Sequence, residues 1–162
     1  MTKRRKLLHW IPALIGVAVI LIESTGMMSA SNTSRWLLPI WTKLFGPVTP
    51  EHWAVIHHWI RKIGHFVGYG LVSLGFFEGW RATFAGKAGS AKKHFAMAAP
   101  LALLCTLVLA SWDEWHQSLL PGRTSKVSDV CIDFSGALVA HLLLLAVLMV
   151  VWKTRSQRAV HS

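Results

Sequence analysis

Four long apolar stretches alternate with polar connections along the chain. They cover about residues 7–23, 63–80, 95–112 and 134–152. Each approaches the length of about 20 residues that a helix needs to cross the hydrocarbon core of a bilayer. Because every backbone hydrogen bond must be made within the chain at that depth, the pattern predicts an all-α, polytopic membrane bundle of four transmembrane helices. We interpret residues 1–162 as a single membrane domain of this kind.

The connection between the first two stretches is long and partly apolar. Residues 35–45 combine aromatic and aliphatic side chains with a few cations, which is typical of a helix lying in the membrane interface. Thr49, Pro50 and Glu51 then offer a capping hydroxyl, a proline for the first helical position and an early acid. We therefore expect an interfacial helical segment at the outer face, followed by a helix that begins near Pro50.

Composition and charge agree with a membrane location. Hydrophobic residues make up 53% of the chain and the mean hydropathy is +0.45, which does not suit a soluble domain. A net charge of +10 would suggest nucleic-acid binding in a soluble protein. Here 11 of the 17 basic residues lie on one predicted side of the spans. We therefore expect no nucleic-acid partner, and the positive-inside rule predicts that both termini are cytoplasmic.

The N-terminus admits a second interpretation. Basic residues at 3–6, the following apolar core and the small residues at 29–31 are also the parts of a cleavable signal peptide. However, Met28 is a poor fit near such a cleavage site, and Glu23 follows the apolar core directly. We therefore prefer an uncleaved first helix.

Acidic residues are concentrated on the predicted outer side. Six of the seven lie at or beyond the outer ends of the spans, namely Glu23, Glu51, Asp113, Glu114, Asp129 and Asp133. An ionisable group at the centre of a membrane helix costs about 2.5–3.5 kcal/mol, so such groups usually pair or carry function. The outer face is therefore where we expect the functional site.

Two helical stripes carry polar residues from the outer face into the membrane. The first, spaced i, i+4, i+7 and i+11 on the second span, consists of His58, Lys62, His65 and Tyr69. Gly64, Gly68 and Gly70 flank this stripe and predict the close approach of another helix. The second stripe, on the last span, consists of Asp129, Asp133, Gly136 and Ala140.

The end of the third span adds further polar groups. Glu114 and Gln117 are spaced to face the same side, and so are Asp113 and His116. The helix dipole explains an acid at Asp129. It explains the deeper Asp133 less well, and this acid needs a partner such as Arg123, Lys62 or His65.

Several chemistries suit these residue types. A carboxylate–histidine pair can act as a general acid or base. Histidine with two or three carboxylates can bind a divalent metal, although no HExxH or DxD spacing supports one here. Arginine, lysine and histidine together can hold a lipid phosphate or a carboxylate. The residues alone leave these alternatives and any cofactor open.

The combined motifs resemble the VanZ-like family of bacterial membrane proteins. The resemblance covers about residues 7–150 and rests on Lys62-x-x-His65-Phe66-x-x-Tyr69, Asp113-Glu114-x-x-Gln117, Pro121-Gly122-Arg123, Asp129-x-x-x-Asp133-x-x-Gly136 and Glu23-Ser24. This chain has Asp133 where the family pattern leads us to expect Asn. The resemblance implies the bacterial cytoplasmic membrane and, through an association with low-level teicoplanin resistance, the cell envelope. It implies no particular reaction.

We expect the outer-face pocket to act on or bind a lipid-linked envelope component or a glycopeptide, with membrane lipids as partners. In the enzyme hypothesis His65 is the acid or base, and Glu114 and Asp129 orient or activate it. The residues expected to hold the substrate are Lys62, Tyr69, Gln117, Arg123, Asp133 and Glu23. A non-catalytic binding module would use the same pocket. A small lipid transporter is disfavoured, because the acids cluster at one face rather than at mid-membrane between repeats.

Overall fold

A computed structural model describes residues 3–85, 89–120 and 125–160 as helices joined by short connections, with no β-strand among them. The helices are α1 (Lys3–Leu8), α2 (Ile11–Glu23), α3 (Ala30–Phe45), α4 (Pro50–Phe84), α5 (Ala91–Ser118) and α6 (Val127–Val160), with one turn of 3₁₀ helix at Gly26–Met28. The all-α prediction is confirmed. The first predicted span covers the end of α1 and all of α2, and the other three fall inside α4, α5 and α6.

Three stretches of the described residues are long and apolar enough to cross a membrane. They are Arg4–Glu23, Lys92–Ser118 and Val127–Thr154. The fourth predicted span, residues 63–80, lies within α4 and is not among these three. His65, Glu78 and several glycines occur in this segment and lower its hydropathy.

The long helix α4 begins where its sequence predicts. The hydroxyl oxygen of Thr49 accepts a hydrogen bond from the backbone N–H of His52 at 3.4 Å, and Pro50 occupies the first helical position. These contacts satisfy helix N-terminal donors that would otherwise lack partners. The segment at residues 35–45 is helical within α3, which ends at Gly46 with a φ of 90° that glycine adopts at little cost.

Helix α4 is the centre of the bundle and packs against α2, α5 and α6. Glycines make two of these approaches very close. A Cβ atom added to Gly75 would lie 2.8 Å from the backbone nitrogen of Ala13 in α2. A Cβ atom added to Gly136 of α6 would collide with the carbonyl oxygen of Phe66 in α4. Neither position can therefore accept a larger side chain without moving a helix.

The glycine prediction for α4 is confirmed at one position and wrong at two. A Cβ atom on Gly70 would lie 3.1 Å from the carbonyl oxygen of Gly136, so Gly70 does admit α6. Gly64 and Gly68 have open space around them. The α4–α6 contact follows the face of α4 that carries Phe66 and Gly70, and the other two glycines lie beside it.

The bundle buries small side chains and exposes large ones. Seven of the 12 buried apolar residues in the described part of the chain are alanines, whereas Leu, Ile and Val side chains dominate the exposed apolar surface. A water-soluble core shows the opposite preference. Small residues between helices and large apolar residues outside are the pattern of helices packed within lipid.

The end of the bundle near the N-terminus is closed by the seventh acid, Glu78. Its carboxylate accepts two hydrogen bonds from Arg81, at 2.6 and 2.7 Å, and lies 2.8 Å from Nδ1 of His9. The ring of Trp10 meets the ring of Trp80 edge to face with centroids 5.2 Å apart. These contacts join α1 and α2 to α4 at the end opposite the predicted site.

We expect Gly136→Ala to destabilise the protein by about 1–3 kcal/mol, because the added methyl group must push α6 away from the backbone of Phe66. Gly64→Ala is the matched control, since the same methyl group enters open space. In the control, helix propensity alone should raise stability by about 0.5–1 kcal/mol. Thermal unfolding of the detergent-purified variants, followed by circular dichroism, measures the difference. Equal unfolding temperatures for the two variants would contradict the close α4–α6 contact.

Candidate functional site

A deeply buried polar group at the end of the bundle opposite Glu78 is Asp113, near the end of α5. Only 1% of this residue is exposed. Its Oδ2 atom accepts hydrogen bonds from the Tyr69 hydroxyl at 2.8 Å and from the Gln117 amide at 3.0 Å. Its Oδ1 atom is buried and has no hydrogen-bond partner among the described residues. A carboxylate in this setting is only half satisfied.

A histidine–carboxylate pair lies beside Asp113. Nδ1 of His65 in α4 is 3.4 Å from Oδ1 of Asp133 in α6, and Asp133 is 1% exposed. This separation is longer than the usual hydrogen bond of about 2.9–3.0 Å. The imidazole stacks on the ring of Tyr69 with centroids 6.1 Å apart. Within the part of the chain that the structure describes, the buried Oδ2 atom of Asp133 has no hydrogen-bond partner, like Oδ1 of Asp113.

Helix register and one glycine bring this pair together. His65 and Tyr69 are four residues apart on α4, and Asp133 and Gly136 are three apart on α6, so each pair shares a helix face. Because Gly136 has no side chain, the backbone of α6 rests directly on the backbone of α4 at Phe66. The neighbouring positions His65 and Asp133 are thereby held opposite each other.

An ion pair lies closer to the mouth of the site. The Lys62 ammonium group donates to Oδ1 of Asp129 in the first turn of α6. The Ser128 hydroxyl donates to the same oxygen at 3.2 Å. Both charged side chains remain about one-fifth exposed, so the pair stands between the buried carboxylates and the surroundings of the protein.

Glu114 is buried and is engaged with the backbone. Its Oε2 atom accepts a hydrogen bond from the backbone N–H of Lys126 at 3.1 Å. The backbone carbonyl of Glu114 accepts another from the Ser125 hydroxyl at 2.8 Å. These two hydrogen bonds connect the residues that precede α6 to the end of α5. They do not involve Oε1, the second carboxylate oxygen of Glu114.

A cavity of about 330 Å³ joins these groups. Its lining residues are Ala30, Ala54, His57, His58, Arg61, Lys62, His65, Glu114, Gln117, Asp129, Ile132 and Asp133. A neighbouring cavity of about 100 Å³ is lined by Glu23, Met28, Thr33, Arg61, Gly64 and His65. Arg61 and His65 therefore contribute to both, and the larger cavity has cations and carboxylates on its wall.

Helix α3 covers one side of the larger cavity. The Thr33 hydroxyl lies 3.1 Å from Nε2 of His57, and the Trp53 indole donates to the Ser34 hydroxyl at 2.6 Å. Burial and the nearby positive charge of Arg61 lower the pKa of His57 below its usual value. The lower pKa favours the neutral form of this imidazole.

The structure brings most of the sequence-predicted residues together. Those on the wall of the larger cavity are Lys62, His65, Glu114, Gln117, Asp129 and Asp133. Tyr69 reaches the group through Asp113, and Glu23 lines the neighbouring cavity beside His65. Arg123 lies outside the described residues. Of the two described residues considered as partners for Asp133, His65 is in contact with it, whereas Lys62 pairs with Asp129.

Sequence reasoning missed Asp113 as a site residue and expected it to face His116. The structure pairs Asp113 with Gln117, whereas Nδ1 of His116 lies 2.8 Å from the Ser24 hydroxyl at the end of α2. The sequence did contain a signal for Asp113. The small residues Ala102, Thr106 and Ala110 recur at helical spacing along one face of α5, and Asp113 is the next residue on that face. These small residues are all buried, so the acid that follows them is buried too.

These side chains can support two kinds of chemistry. The His65–Asp133 pair has the composition of a general acid–base pair in which the carboxylate orients the imidazole. His65, Asp113 and Asp133 also each offer one ligand atom within 4.8 Å of the others, which is a possible metal-binding arrangement. Lys62 and Arg61 add positive charge on the same wall.

Comparison with known proteins identifies the family. No curated protein and no solved structure shows significant similarity to the chain. The family model described as VanZ/LLP1 matches residues 9–151, a range that contains every predicted site residue. The chain therefore belongs to the VanZ/LLP1 family.

Proposed function

We propose that the protein crosses the bacterial cytoplasmic membrane four times, with α4 as the additional span and both termini in the cytoplasm. By sequence position, 11 of the 17 basic residues flank the end of the bundle opposite the cavity, as expected for the cytoplasmic side. Helix α4 packs against all three apolar helices and exposes Ile63, Val67 and Leu71. These contacts support a span that shares the depth of its neighbours.

In this topology α3 lies along the outer membrane interface. One side of α3 is held to α4 through Thr33 and Ser34. Its other positions expose Trp36, Ile40 and Leu44. An amphipathic helix of this kind buries its apolar face at the boundary between headgroups and acyl chains. The cavity beneath α3 would then be reached from the headgroup layer.

We infer that this cavity takes the anionic headgroup of a lipid-linked envelope component. The observation that carries the inference is that Lys62 and Arg61 share a wall with the buried His65–Asp133 pair. The cavity volume of about 330 Å³ is within the range of small-molecule sites. Lysine and arginine bind phosphate through charge-assisted hydrogen bonds, and the histidine–carboxylate pair lies beside the group so held.

The other site residues follow from this arrangement. In the proposed chemistry His65 transfers a proton, while Glu114 and Asp129 fix the surrounding frame. Tyr69 and Gln117 hold Asp113, and Asp133 orients His65. Glu23 borders the neighbouring cavity, and Arg123 joins the anion-binding group by its sequence position. In its cellular role, we propose that the protein lowers susceptibility to teicoplanin by binding or modifying an envelope lipid.

A specific observation favours binding without catalysis as the second candidate. Both carboxylates proposed to assist His65 already have partners in the protein, Asp129 in Lys62 and Glu114 in the backbone N–H of Lys126. Such contacts build a rigid frame for a ligand and require no proton transfer. The variant Glu114→Gln removes the charge and keeps the shape of this side chain, so it distinguishes catalysis from binding alone.

The topology predicts which cysteines a membrane-impermeant reagent can label in intact cells. In a background carrying Cys105→Ala and Cys131→Ser, we expect Ser31→Cys and Thr124→Cys to be labelled from outside. Ser90→Cys should be labelled only after the membrane is permeabilised, because it precedes α5 at the cytoplasmic end. Labelling of Ser90→Cys in intact cells would contradict the proposed orientation.

Lipid binding predicts a charge-dependent affinity. Lys62→Met should weaken binding of a polyprenyl phosphate about 10- to 100-fold, because a charge-assisted hydrogen bond contributes about 1.5–3 kcal/mol. Native mass spectrometry of the purified protein at increasing lipid concentration measures this. Lys43→Met is the matched control, since Lys43 is an exposed residue of α3 away from the cavity lining. Equal lipid affinities of the two variants would show that the cavity does not recognise the lipid.

Susceptibility to teicoplanin tests the role of the site in cells. His65→Ala and Glu114→Ala should abolish the protection given by the expressed protein, without lowering its amount in the membrane. Glu114→Gln keeps the acceptor for the Lys126 N–H but removes the charge, so catalysis should be lost and simple binding retained. Glu51→Gln, at an exposed acid on the same side, is the control. Full protection by every variant would rule out both candidates.

A further inference from the structure

Three helices each place one metal-binding side chain at the floor of the site. His65 comes from α4, Asp113 from α5 and Asp133 from α6. Their ligand atoms lie within 4.8 Å of one another, and both aspartates are almost completely buried. Side chains from distant parts of the sequence thus converge at one point.

The charge at this point is incompletely balanced by the described residues around it. Two buried carboxylates carry up to two negative charges, and His65 supplies at most one positive charge. Lys62 lies nearest the mouth and is already paired with Asp129. Burying an unpaired charge is strongly unfavourable, so a group that adds positive charge would stabilise this cluster.

Hydrogen bonding also leaves acceptor atoms available. Oδ1 of Asp113 and Oδ2 of Asp133 are buried, and neither has a hydrogen-bond partner in residues 3–85, 89–120 and 125–160. The other oxygen of Asp113 accepts from Tyr69 and Gln117. An aspartate that binds a metal commonly has this arrangement. One carboxylate oxygen accepts hydrogen bonds from neighbouring donors, and the other oxygen binds the ion.

The spacing between the ligands fits an ion better than a hydrogen bond. Nδ1 of His65 and Oδ1 of Asp133 are 3.4 Å apart. Bonds of about 2.0–2.2 Å to a tetrahedral ion place neighbouring ligand atoms about 3.4 Å apart. A modest shift of the Asp113 carboxylate completes such a set, because the three ligand atoms are already within 4.8 Å.

We propose that His65, Asp113 and Asp133 bind one divalent transition-metal ion, either Zn²⁺ or Mn²⁺. One imidazole nitrogen and two carboxylate oxygens form a mixed donor set that suits these ions. Mg²⁺ prefers oxygen ligands and is expected to bind more weakly. The ion would compensate the buried carboxylates and join α4, α5 and α6 at the outer end.

This inference goes beyond the proposed lipid site, and metal binding can be measured without knowing the lipid. His65 and Asp133 line the larger cavity, so open coordination positions would face the space assigned to the headgroup. A metal ion there can polarise a phosphate oxygen or a bound water. His65 would then be a ligand and not a proton acceptor, and Glu114 and Asp129 would be the remaining carboxylates on the cavity wall.

The test uses the full chain carrying a tag without histidine, purified in lipid nanodiscs and stripped with a chelator. After incubation with Zn²⁺ or Mn²⁺ and gel filtration, elemental mass spectrometry should find about one ion per chain. Asp113→Asn and Asp133→Asn should each lower the affinity by more than the roughly 10- to 100-fold typical of outer-shell changes. Tyr69→Phe, a positioning change that removes the bond to Asp113, should fall within that range.

Glu51→Gln is the matched control, because it removes an exposed carboxylate that lines neither cavity and is not one of the three proposed ligands. Its metal content should equal that of the wild type. Equal metal binding by wild type, Asp113→Asn and Asp133→Asn would overturn the proposal and assign the bound ion to other histidines. No binding by the wild type at about 100 µM free metal would overturn it as well.

A spectroscopic measurement on the wild-type protein keeps the test valid if the aspartate variants do not fold. Co²⁺ added to the stripped protein should give visible absorption bands of an ion bound by nitrogen and oxygen ligands, and Zn²⁺ should displace it. Only the spectrum of hydrated Co²⁺ would contradict an inner-sphere site. Loss of lipid binding with retained metal binding would contradict the lipid proposal alone, and the reverse result would contradict only the metal site.

Discussion

Contact between the backbones of α4 and α6 determines the geometry of the end of the bundle that contains the cavity. Gly136 rests against the carbonyl of Phe66, and Gly70 faces the carbonyl of Gly136. Packed interiors transmit displacements because they contain few voids. A side chain at Gly136 would therefore shift Asp133, one turn earlier on α6, away from His65. The polar site depends on the absence of side chains at these two positions.

The same tight packing explains why the polar pairs of the site are arranged one below another, from the mouth of the cavity to its floor. Large apolar residues occupy the outer surface of the bundle, so charged groups can find partners only in its interior. Lys62 and Asp129 pair near the mouth, His65 and Asp133 pair deeper, and Tyr69 meets Asp113 at the floor. Burial of the carboxylates increases along this series. The two most buried acids, Asp133 and Asp113, each have one oxygen without a hydrogen-bond partner among the described residues.

Helical periodicity predicted the members of the site better than their pairing. The spacing of Lys62, His65 and Tyr69 indicates one helix face from sequence alone, and so does the spacing of Asp129 and Asp133. Which face meets which depends on the packing of separate helices, and several partners for Asp133 were equally compatible with the sequence. The contact of Glu114 with the backbone of Lys126 depends on the path of the connection between α5 and α6. No local pattern specifies that path.

The apolar stretches predicted the three apolar helices directly, whereas the polar and glycine-rich composition of α4 obscured its central position.

The two ends of the bundle show how one residue type serves different purposes. Glu78 is about one-third exposed and is surrounded by Arg81 and His9, so its charge is fully compensated where the first helices meet α4. Asp113 and Asp133 are buried, and one oxygen of each has no partner among the residues that the structure describes. A structural acid gains nothing from an unsatisfied buried oxygen, which raises the free energy of the folded state. Retaining two such oxygens beside a histidine is understandable if a ligand completes them. This difference is why we propose a functional role for the end that contains the cavity and a structural role for the end that contains Glu78.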